Sequence, residues 1–506
     1  MIHTIFDKAA PGRNAISFPV GMPDEPVDMD IPEALLRDRS DELGVPDVPE
    51  IEIVRHYMSL SCENYGIDNG IYPLGSCTMK YNPKINEALA ALPGFRDIHP
   101  LQGLQDEQSC QGILQVLHEM GLMLADLTGM DAFTLQPAAG AHGEFTGQLI
   151  IKNYMVQNGL DKQKNKIIVP DTSHGTNPAS AAQAKFEVIE IKSDKSTGLV
   201  DLEQLRQALA PGDVAGIMLT NPNTLGLFEE EILEITRLVH ESGGLCYYDG
   251  ANLNGLCGIC LPGDMGFDIV HVNLHKTFST PHGGGGPGSG PVGVKDFLKN
   301  LLPGPRIEES DGMYTMVLPE QGGFGSIKAF HGNVGVILRA YCYMKALGLE
   351  GLRQSTKSAV LNANYLKAEL KDTICVPYAS RCYHEFVGSD DCFPNGVNTE
   401  DIAKRLLDLG VHAPTIYFPI LVHGAIMIEP TETESRARLD GLVDAFKQVR
   451  AEAEADPDVV KNAPSTMSVH RLDQVMAARA PVLNAKDLES LLGSAAKPGN
   501  PVENEE

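Results

Sequence analysis

Short apolar segments alternate with amphipathic segments between residues 61 and 345, and this alternation constrains the fold most. The apolar segments lie at 132–135, 167–169, 188–191, 217–220, 245–248 and 269–274. Helical patterns separate several of them, including 201–209, where Gln204 is placed for a capping box, and 229–240. Strands that alternate with helices form a mainly parallel sheet covered on both sides. The predicted fold class is therefore α/β.

The rest of the chain predicts further units. Upstream of the first apolar segment, Asn82 and Pro83 predict the start of a helix that runs to residue 92, and a second helix spans 108–127 before Gly129. From 346 to 455 we expect a smaller α+β domain, with helices at 350–370, 399–409 and 434–449 and strands at 383–387 and 425–428. The predicted division is an extended N-terminal arm (1–60), a large domain (61–345), the small domain (346–455) and a partly mobile tail (456–506).

One lysine follows the last apolar segment of the large domain. Lys276 stands between a buried strand and a glycine-rich stretch, 283–288. Most lysines are solvated surface charges, but this one follows a segment too apolar to lie on a surface. A lysine held at a strand end can form a Schiff base with an aldehyde cofactor.

A carboxylate occupies the same position on a neighbouring segment. Asp249 ends the apolar segment at 245–248, and Ala251 follows it two residues later. In parallel sheets, ligands bind outside the carboxyl ends of strands. An acid there keeps a pyridine nitrogen protonated, so Asp249 and Lys276 together predict a pyridoxal 5'-phosphate (PLP) site with the cofactor covalently attached to Lys276.

Two other interpretations of this stretch are weaker. His271 and His275 lie four residues apart, but that spacing suits zinc on a helix rather than on a strand and loop, and no cysteine or carboxylate completes a set. We therefore expect no metal. The glycines at 283, 285 and 288 fit a dinucleotide-binding pattern, but Pro287 interrupts it and no helix clearly follows.

Two strand ends supply the remaining parts of a PLP site. The segment 136–144 follows a strand and opens a helix, so the backbone N–H groups around Ala139, Gly140 and Ala141 can hold a phosphate. His174 follows the strand at 167–169, and its imidazole can stack on a pyridine ring. His275 and Thr277 flank the lysine and can reach the phosphate.

Composition excludes several classes of partner and compartment. The chain of 506 residues has 40 basic and 67 acidic side chains, for a net charge of −27. Such a surface repels nucleic acid and anionic membranes, so we expect neither as a partner. The ten cysteines lack paired spacing apart from Cys257 and Cys260, and we see no signal peptide or membrane span. The sequence therefore predicts a cytoplasmic protein.

Seven segments together resemble the glycine-cleavage P-protein family, in particular the lysine-bearing second subunit of its two-chain form. They lie at 73–80 (PLGSCTMK), 136–144, 174–180 (HGTNPAS), 249–252 (DGAN), 273–288, 412–415 (HAPT) and 429–432 (EPTE). They cover most of residues 60 to 450. A generic PLP enzyme would share only the lysine and the aspartate.

The resemblance implies the aspartate-aminotransferase-like fold, PLP fold type I. It also implies Lys276 as the Schiff-base lysine, Asp249 as the partner of the pyridine nitrogen and His174 as the stacking residue. The implied reaction is decarboxylation of glycine, with release of CO2 and transfer of the aminomethyl group to the lipoyl group of H-protein. A separate subunit 1 (alpha) is expected, giving an α2β2 heterotetramer.

Two rival functions stay open on the sequence alone. One is another fold type I enzyme, such as an aldolase or a desulfurase, although no distinctive loop carries a cysteine for desulfuration. The other is a non-catalytic subunit that retains the fold, but such a subunit would be free to lose Lys276. Arg353 and Arg381 are candidates for holding the substrate carboxylate by charge alone.

Overall fold

The structure is a computed structural model that describes residues 4–9, 32, 46, 48–99, 102–282, 288–318 and 324–484. The chain forms two compact units, one of residues 1–65 with 462–506 and one of residues 66–461. The glycines at 283–286, most of the predicted N-terminal arm and residues 485–506 of the predicted C-terminal tail lie outside the described residues. The predicted four-part division stays a prediction.

The described residues form the following helices and strands. The helices are α1 (Glu50–Glu63), α2 (Lys84–Ala90), α3 (Pro93–Arg96), α4 (Gln111–Thr128), α5 (Gly140–Gln157), α6 (Thr176–Gln183), α7 (Leu202–Leu209), α8 (Ile232–Glu241), α9 (Val334–Leu370), α10 (Thr399–Asp408), α11 (Arg436–Ala455), α12 (Pro457–Lys461) and α13 (Gln474–Arg479). The strands are β1 (Ala132–Thr134), β2 (Lys166–Pro170), β3 (Glu187–Ile191), β4 (Val214–Thr220), β5 (Leu245–Gly250), β6 (Ile269–Val272), β7 (Val292–Val294), β8 (Arg306–Ser310), β9 (Met313–Val317), β10 (Phe386–Ser389), β11 (Thr415–Ile416) and β12 (Ala425–Ile428).

The unit of residues 66–461 contains a mostly parallel sheet of seven strands in the order β1-β7-β6-β5-β4-β2-β3. Strand β7 runs antiparallel to both of its neighbours. Alternate residues of β5 pack into different hydrophobic clusters: Cys246 and Tyr248 on one face, Leu245 and Tyr247 on the other. Helices therefore cover both faces, and the predicted α/β fold is confirmed.

A smaller antiparallel sheet in the same unit has the order β10-β12-β11. Helices α10 and α11 pack on it through a cluster that includes Ile402, Leu442 and Phe446. Helix α9 bends at Gly348, whose φ of 61° and ψ of −179° are not helical. Among the described residues, no helix has the length and apolar character needed to cross a bilayer.

Six predicted strands of the large sheet are present, but two predicted details of helix capping were wrong. Helix α2 begins at Lys84 after Pro83, and the Asn82 amide donates instead to the Ser279 carbonyl at 3.0 Å. Asp201 caps α7 through the Glu203 and Gln204 N–H groups. The side chain of Gln204 does not complete a capping box, because its Oε1 accepts the Lys192 N–H at 3.0 Å.

Candidate active site

The carboxyl ends of the parallel strands surround a cavity of about 190 Å³. Strand β4 ends at Thr220, β5 brings in Asp249, and the turn after β6 brings in Lys276. The lining residues are Ser76, Gly140, Ala141, Glu144, His174, Thr176, Thr220, Thr224, Asp249, Ala251, Asn252, Asn273, His275 and Lys276. The structure thus brings together most of the predicted site residues.

Asp249 is buried and fully engaged by donors. Its Oδ2 accepts hydrogen bonds from the Asn177 amide and the Thr220 hydroxyl, both at 3.1 Å, and its Oδ1 accepts the Ala251 N–H at 3.0 Å. Burial acts to raise the pKa of Asp249, but His271, the Ala251 N–H and other partners outweigh it, so the pKa lies below the ordinary value. The carboxylate is ionised at neutral pH.

Lys276 is half-buried, and its backbone N–H donates to the Asn273 carbonyl at 3.1 Å. The turn therefore presents the lysine immediately beyond β6. Its positive charge stabilises the ionised forms of Glu144, Asp249 and Glu429 and so acts to lower the pKa of each. A lysine among acidic side chains, inside a cavity rather than on the surface, is placed for chemistry on a bound ligand.

The N terminus of α5 forms one wall of the cavity. Gly140 and Ala141 line it, whereas Ala139 is the N-cap residue and does not. A Cβ at Gly140 would lie 2.8 Å from Oδ1 of Asn273, so a larger residue there would displace the Asn273 amide. First-turn N–H groups lack partners within the helix and favour an anion.

Two buried polar atoms beside this helix end lack hydrogen-bond partners among the described residues. They are Oδ1 of Asn273 and Oγ of Ser289. Ser289 and Asn273 lie on neighbouring segments, because the Leu274 N–H donates to the Ser289 carbonyl. The Ser289 hydroxyl can donate to a phosphate, whereas Oδ1 of Asn273 only accepts and needs a donor.

His174 also lines the cavity. Its Nδ1 accepts the Thr176 N–H at 3.2 Å and lies 2.8 Å from the Thr176 hydroxyl. Desolvation, followed by smaller and opposing effects of Asp249 and Lys276, lowers the pKa of His174. A neutral imidazole facing the cavity fits a stacking role.

Glu144 is a buried cavity residue at the end of the segment 136–144, and its role was not predicted from the sequence. Its two oxygens accept the hydroxyls of Thr176 at 2.9 Å and Ser180 at 3.0 Å. Burial and the nearby charge of Asp249 raise the pKa of Glu144 to about 7. The cavity thus holds one carboxyl group with a lowered pKa, Asp249, and one with a raised pKa, Glu144.

The two residues that flank Lys276 have different surroundings. His275 lines the cavity, and burial, then Lys276 and His282, lower its pKa to about 3. Its Nδ1 accepts the Ser289 N–H at 3.4 Å. Thr277 is buried and does not line the cavity, although its hydroxyl has no partner among the described residues.

A strained loop forms another part of the wall. Ser76 and Thr78 both have left-handed backbones, with φ of 60° and 46°. The Ser76 N–H donates to Glu385 at 2.7 Å, and the Thr78 N–H donates to Glu429 at 3.0 Å. Burial raises the pKa of Glu429 to about 7. The two buried carboxyl groups hold the loop in a conformation that most residues avoid.

The roles of several of these residues were not predicted from the sequence. Thr220 ends an apolar segment, so the rule that found Asp249 could have found it too. Glu385 and Glu429 meet the loop only through the tertiary fold, 309 and 351 residues away from their partners. Neither candidate arginine lines the cavity, and Nε of Arg353 donates to the Gly258 carbonyl at 2.7 Å.

Solved structures with this fold define the class of protein. A glycine decarboxylase (P-protein) of the glycine cleavage system, solved in inhibitor-bound form, matches 83% of this chain and 93% of its own with a TM-score of 0.68 and 21% identity. A cysteine desulfurase from Thermococcus onnurineus NA1 matches 76% of this chain and 95% of its own, with a TM-score of 0.58 and 14% identity. The fold is PLP fold type I.

Sequence comparisons identify the family. Residues 20–317 match the glycine cleavage system P-protein family, and residues 355–468 match the glycine dehydrogenase C-terminal domain. Two relatives carry the name "probable glycine dehydrogenase (decarboxylating) subunit 2". The one from Caldanaerobacter subterraneus is 53% identical over 95% of this chain and 98% of its own, and the one from Pyrococcus abyssi is 54% identical over 96% of each. The chain belongs to the glycine dehydrogenase (decarboxylating) subunit 2 family.

Proposed function

We propose that this chain is the cofactor-bearing subunit of a two-subunit glycine dehydrogenase (decarboxylating). It would release CO2 from glycine and pass the aminomethyl group to the lipoyl group of H-protein. The observation that carries the proposal is the convergence of Lys276 and an ionised, buried Asp249 on one cavity, in a chain of this family. A non-catalytic subunit would not need to keep this pair.

The residues present fit PLP. The N terminus of α5 and the Ser289 hydroxyl would hold its phosphate, and Lys276 would carry it covalently. When bound, the cofactor supplies an electron sink for the electron pair that remains when the glycine carboxylate departs as CO2. Asp249 would hold the proton on the ring nitrogen, and His174 would lie against the ring.

The charge states of the two buried carboxyl groups leave Lys276 as the nucleophile of the cavity. Asp249 receives three hydrogen bonds, so it stays ionised and can keep a bound pyridinium protonated. Glu144, with its raised pKa, carries a proton at slightly acidic pH and adds no second negative charge there. The Nζ of Lys276 is left as the nucleophile of the cavity.

The partners follow from the family. We propose association with subunit 1 (alpha) in an α2β2 heterotetramer, lipoylated H-protein as the acceptor of the aminomethyl group, and a cytoplasmic location. The name "subunit 2" of the relatives supports a two-subunit enzyme. The net charge of −27 supports the absence of nucleic acid and membrane partners.

The proposal is tested by glycine-dependent release of labelled CO2 from the assembled enzyme with lipoylated H-protein. Lys276→Ala should abolish release and keep the melting temperature near that of the wild type. Lys295→Ala is the matched control, because Nζ of Lys295 donates to the Gly129 carbonyl and the residue lies outside the cavity. Full activity of Lys276→Ala would overturn the proposal.

A further inference from the structure

Three polar side chains share one face of the large sheet. In the parallel register of β5 and β6, Asp249 lies beside His271, and Tyr247 lies two residues before Asp249 on the same strand. Side chains two residues apart on a strand point to the same face. Apolar residues such as Ile269 and Leu245 otherwise occupy this face.

Helix α5 has glycines where it crosses these polar side chains. A Cβ at Gly143 would lie 3.0 Å from Cβ of His271, and one at Gly147 would lie 2.1 Å from Cε2 of Tyr247. The helix therefore approaches the sheet closely enough to bury both side chains. His271 and Tyr247 each have no exposed surface.

Hydrogen bonding links the tyrosine to the histidine. The Tyr247 hydroxyl lies 2.7 Å from Nδ1 of His271. Burial, reinforced by Glu144 and Asp249, raises the pKa of Tyr247 well above its ordinary value, so the hydroxyl keeps its proton. Burial also lowers the pKa of His271, and the imidazole is neutral.

The second ring nitrogen of His271 is directed at the site. Its Nε2 lies 3.5 Å from Oδ1 of Asp249, and the Asn273 side chain also acts on the ring as a hydrogen-bond acceptor. If Nε2 carried a lone pair, it would face a carboxylate and repel it. A hydrogen on Nε2 would instead direct a positive dipole at Oδ1, and a neutral ring has only one hydrogen to place.

We propose that Tyr247 and His271 form a positioning pair for Asp249. The Tyr247 hydroxyl donates to Nδ1 of His271, which selects the tautomer with hydrogen on Nε2, and that hydrogen orients and stabilises the carboxylate. The inference rests on the proposed function, in which Asp249 serves the bound cofactor. The charged groups around the pair are Glu144, Asp249 and Lys276, and the Asn273 amide is also adjacent.

The test compares two neighbouring tyrosines. Tyr247→Phe removes the donor to His271. Tyr248→Phe is the matched control, because the Tyr248 hydroxyl is equally buried but donates to the Asn221 carbonyl at 2.6 Å. Two quantities are measured with the full chain. One is the dissociation constant for PLP, and the other is the pH at which the absorbance change of the bound cofactor is half complete (the absorbance midpoint).

We expect Tyr247→Phe to raise the dissociation constant about 3- to 10-fold and to shift the absorbance midpoint, and Tyr248→Phe to change neither. His271→Gln keeps an N–H group near the position of Nε2 and should restore most of the affinity that His271→Leu loses. A purely structural pair would lower the melting temperatures of both tyrosine variants and leave the absorbance midpoint unchanged.

An unchanged absorbance midpoint and dissociation constant in folded Tyr247→Phe would overturn the positioning pair. This failure differs from failure of the proposed function. If wild-type protein bound no PLP at Lys276, the function itself would be wrong. Because Tyr247→Phe removes a single oxygen, it decides the question even if the histidine variants do not fold.

Discussion

Asp249 and Glu144 are buried in the same cavity, yet the pKa of Asp249 is lowered and that of Glu144 is raised. Asp249 receives three hydrogen bonds at 3.0–3.1 Å and lies near Lys276 and His271, so its charged form is favoured. Glu144 receives only hydroxyl donors and faces the charge of Asp249, so its neutral form is favoured. Neighbouring charges and hydrogen-bond donors, rather than the depth of burial, decide which acid carries the negative charge.

Removal of the Asp249 carboxylate tests its role directly. We expect Asp249→Ala to lower the rate of glycine decarboxylation by about a thousandfold, or about 4 kcal/mol of transition-state stabilisation, because the proton on the ring nitrogen loses its partner. Single-turnover release of labelled CO2 would measure the loss. A change of less than threefold would mean that another group serves the cofactor.

A further buried acid, Glu229, makes the free energy of unfolding depend on pH. Glu229 is 1% exposed and accepts the Val200 N–H at 3.0 Å, and burial raises its pKa to about 7. The folded protein therefore holds this proton more tightly than the unfolded chain. The resulting stability is present below the ordinary glutamate pKa and is lost as the pH rises toward 7.

Glu229→Gln removes this ionisation. We expect the variant to gain stability relative to the wild type as the pH rises from 5 to 8, by up to about 3 kcal/mol at the upper end. Thermal or urea unfolding at both pH values would measure the difference. Exposed Glu203 provides the matched control, and Glu203→Gln should show no such trend. Equal stability differences at pH 5 and pH 8 would contradict the prediction.

At the scale of secondary structure, α5 serves the site through its N-terminal half. Its N terminus faces the cavity, and its glycines at 140, 143 and 147 let it pack against Asn273, His271 and Tyr247. Glycine normally weakens a helix interior. Here its small size is needed for the close approach to the sheet.

Alanine substitutions at two helical glycines distinguish the effect of close helix–sheet packing from the effect of helix propensity. Gly147→Ala places a Cβ 2.1 Å from the Tyr247 ring, so we expect a loss of about 1–3 kcal/mol in the free energy of unfolding. Gly441, inside α11, has no atom within 4 Å of an added Cβ, and Gly441→Ala should gain about 0.5–1 kcal/mol. Chemical denaturation would measure both. Stabilisation by Gly147→Ala would contradict the packing described for α5.

The sequence predicted those elements that follow local rules. Apolar segments predicted six strands of the large sheet, and Lys276 and Asp249 were found because strand ends converge in parallel sheets. Strand β7 was missed because it spans only Val292–Val294 with a glycine at its centre. The contacts of Ser76 and Thr78 with Glu385 and Glu429 join segments more than 300 residues apart, and no local pattern predicts them.

At the scale of the whole molecule, we expect this chain to assemble with a second kind of subunit. We expect native mass spectrometry of this chain mixed with subunit 1 to give the mass of an α2β2 heterotetramer, since the relatives are named as subunit 2 of a larger enzyme. Each protein measured alone is the control. A mixture that retains only the masses of the separate proteins would contradict the assembly.

The central claim is that Lys276 carries the cofactor, and borohydride reduction of the PLP-loaded chain tests it most directly. Peptide mass mapping should place one pyridoxyl group on Lys276, and the Lys276→Ala variant should lack it. Labelling of Lys295→Ala should match the wild type. A label that is absent from Lys276, or spread over surface lysines, would contradict the account.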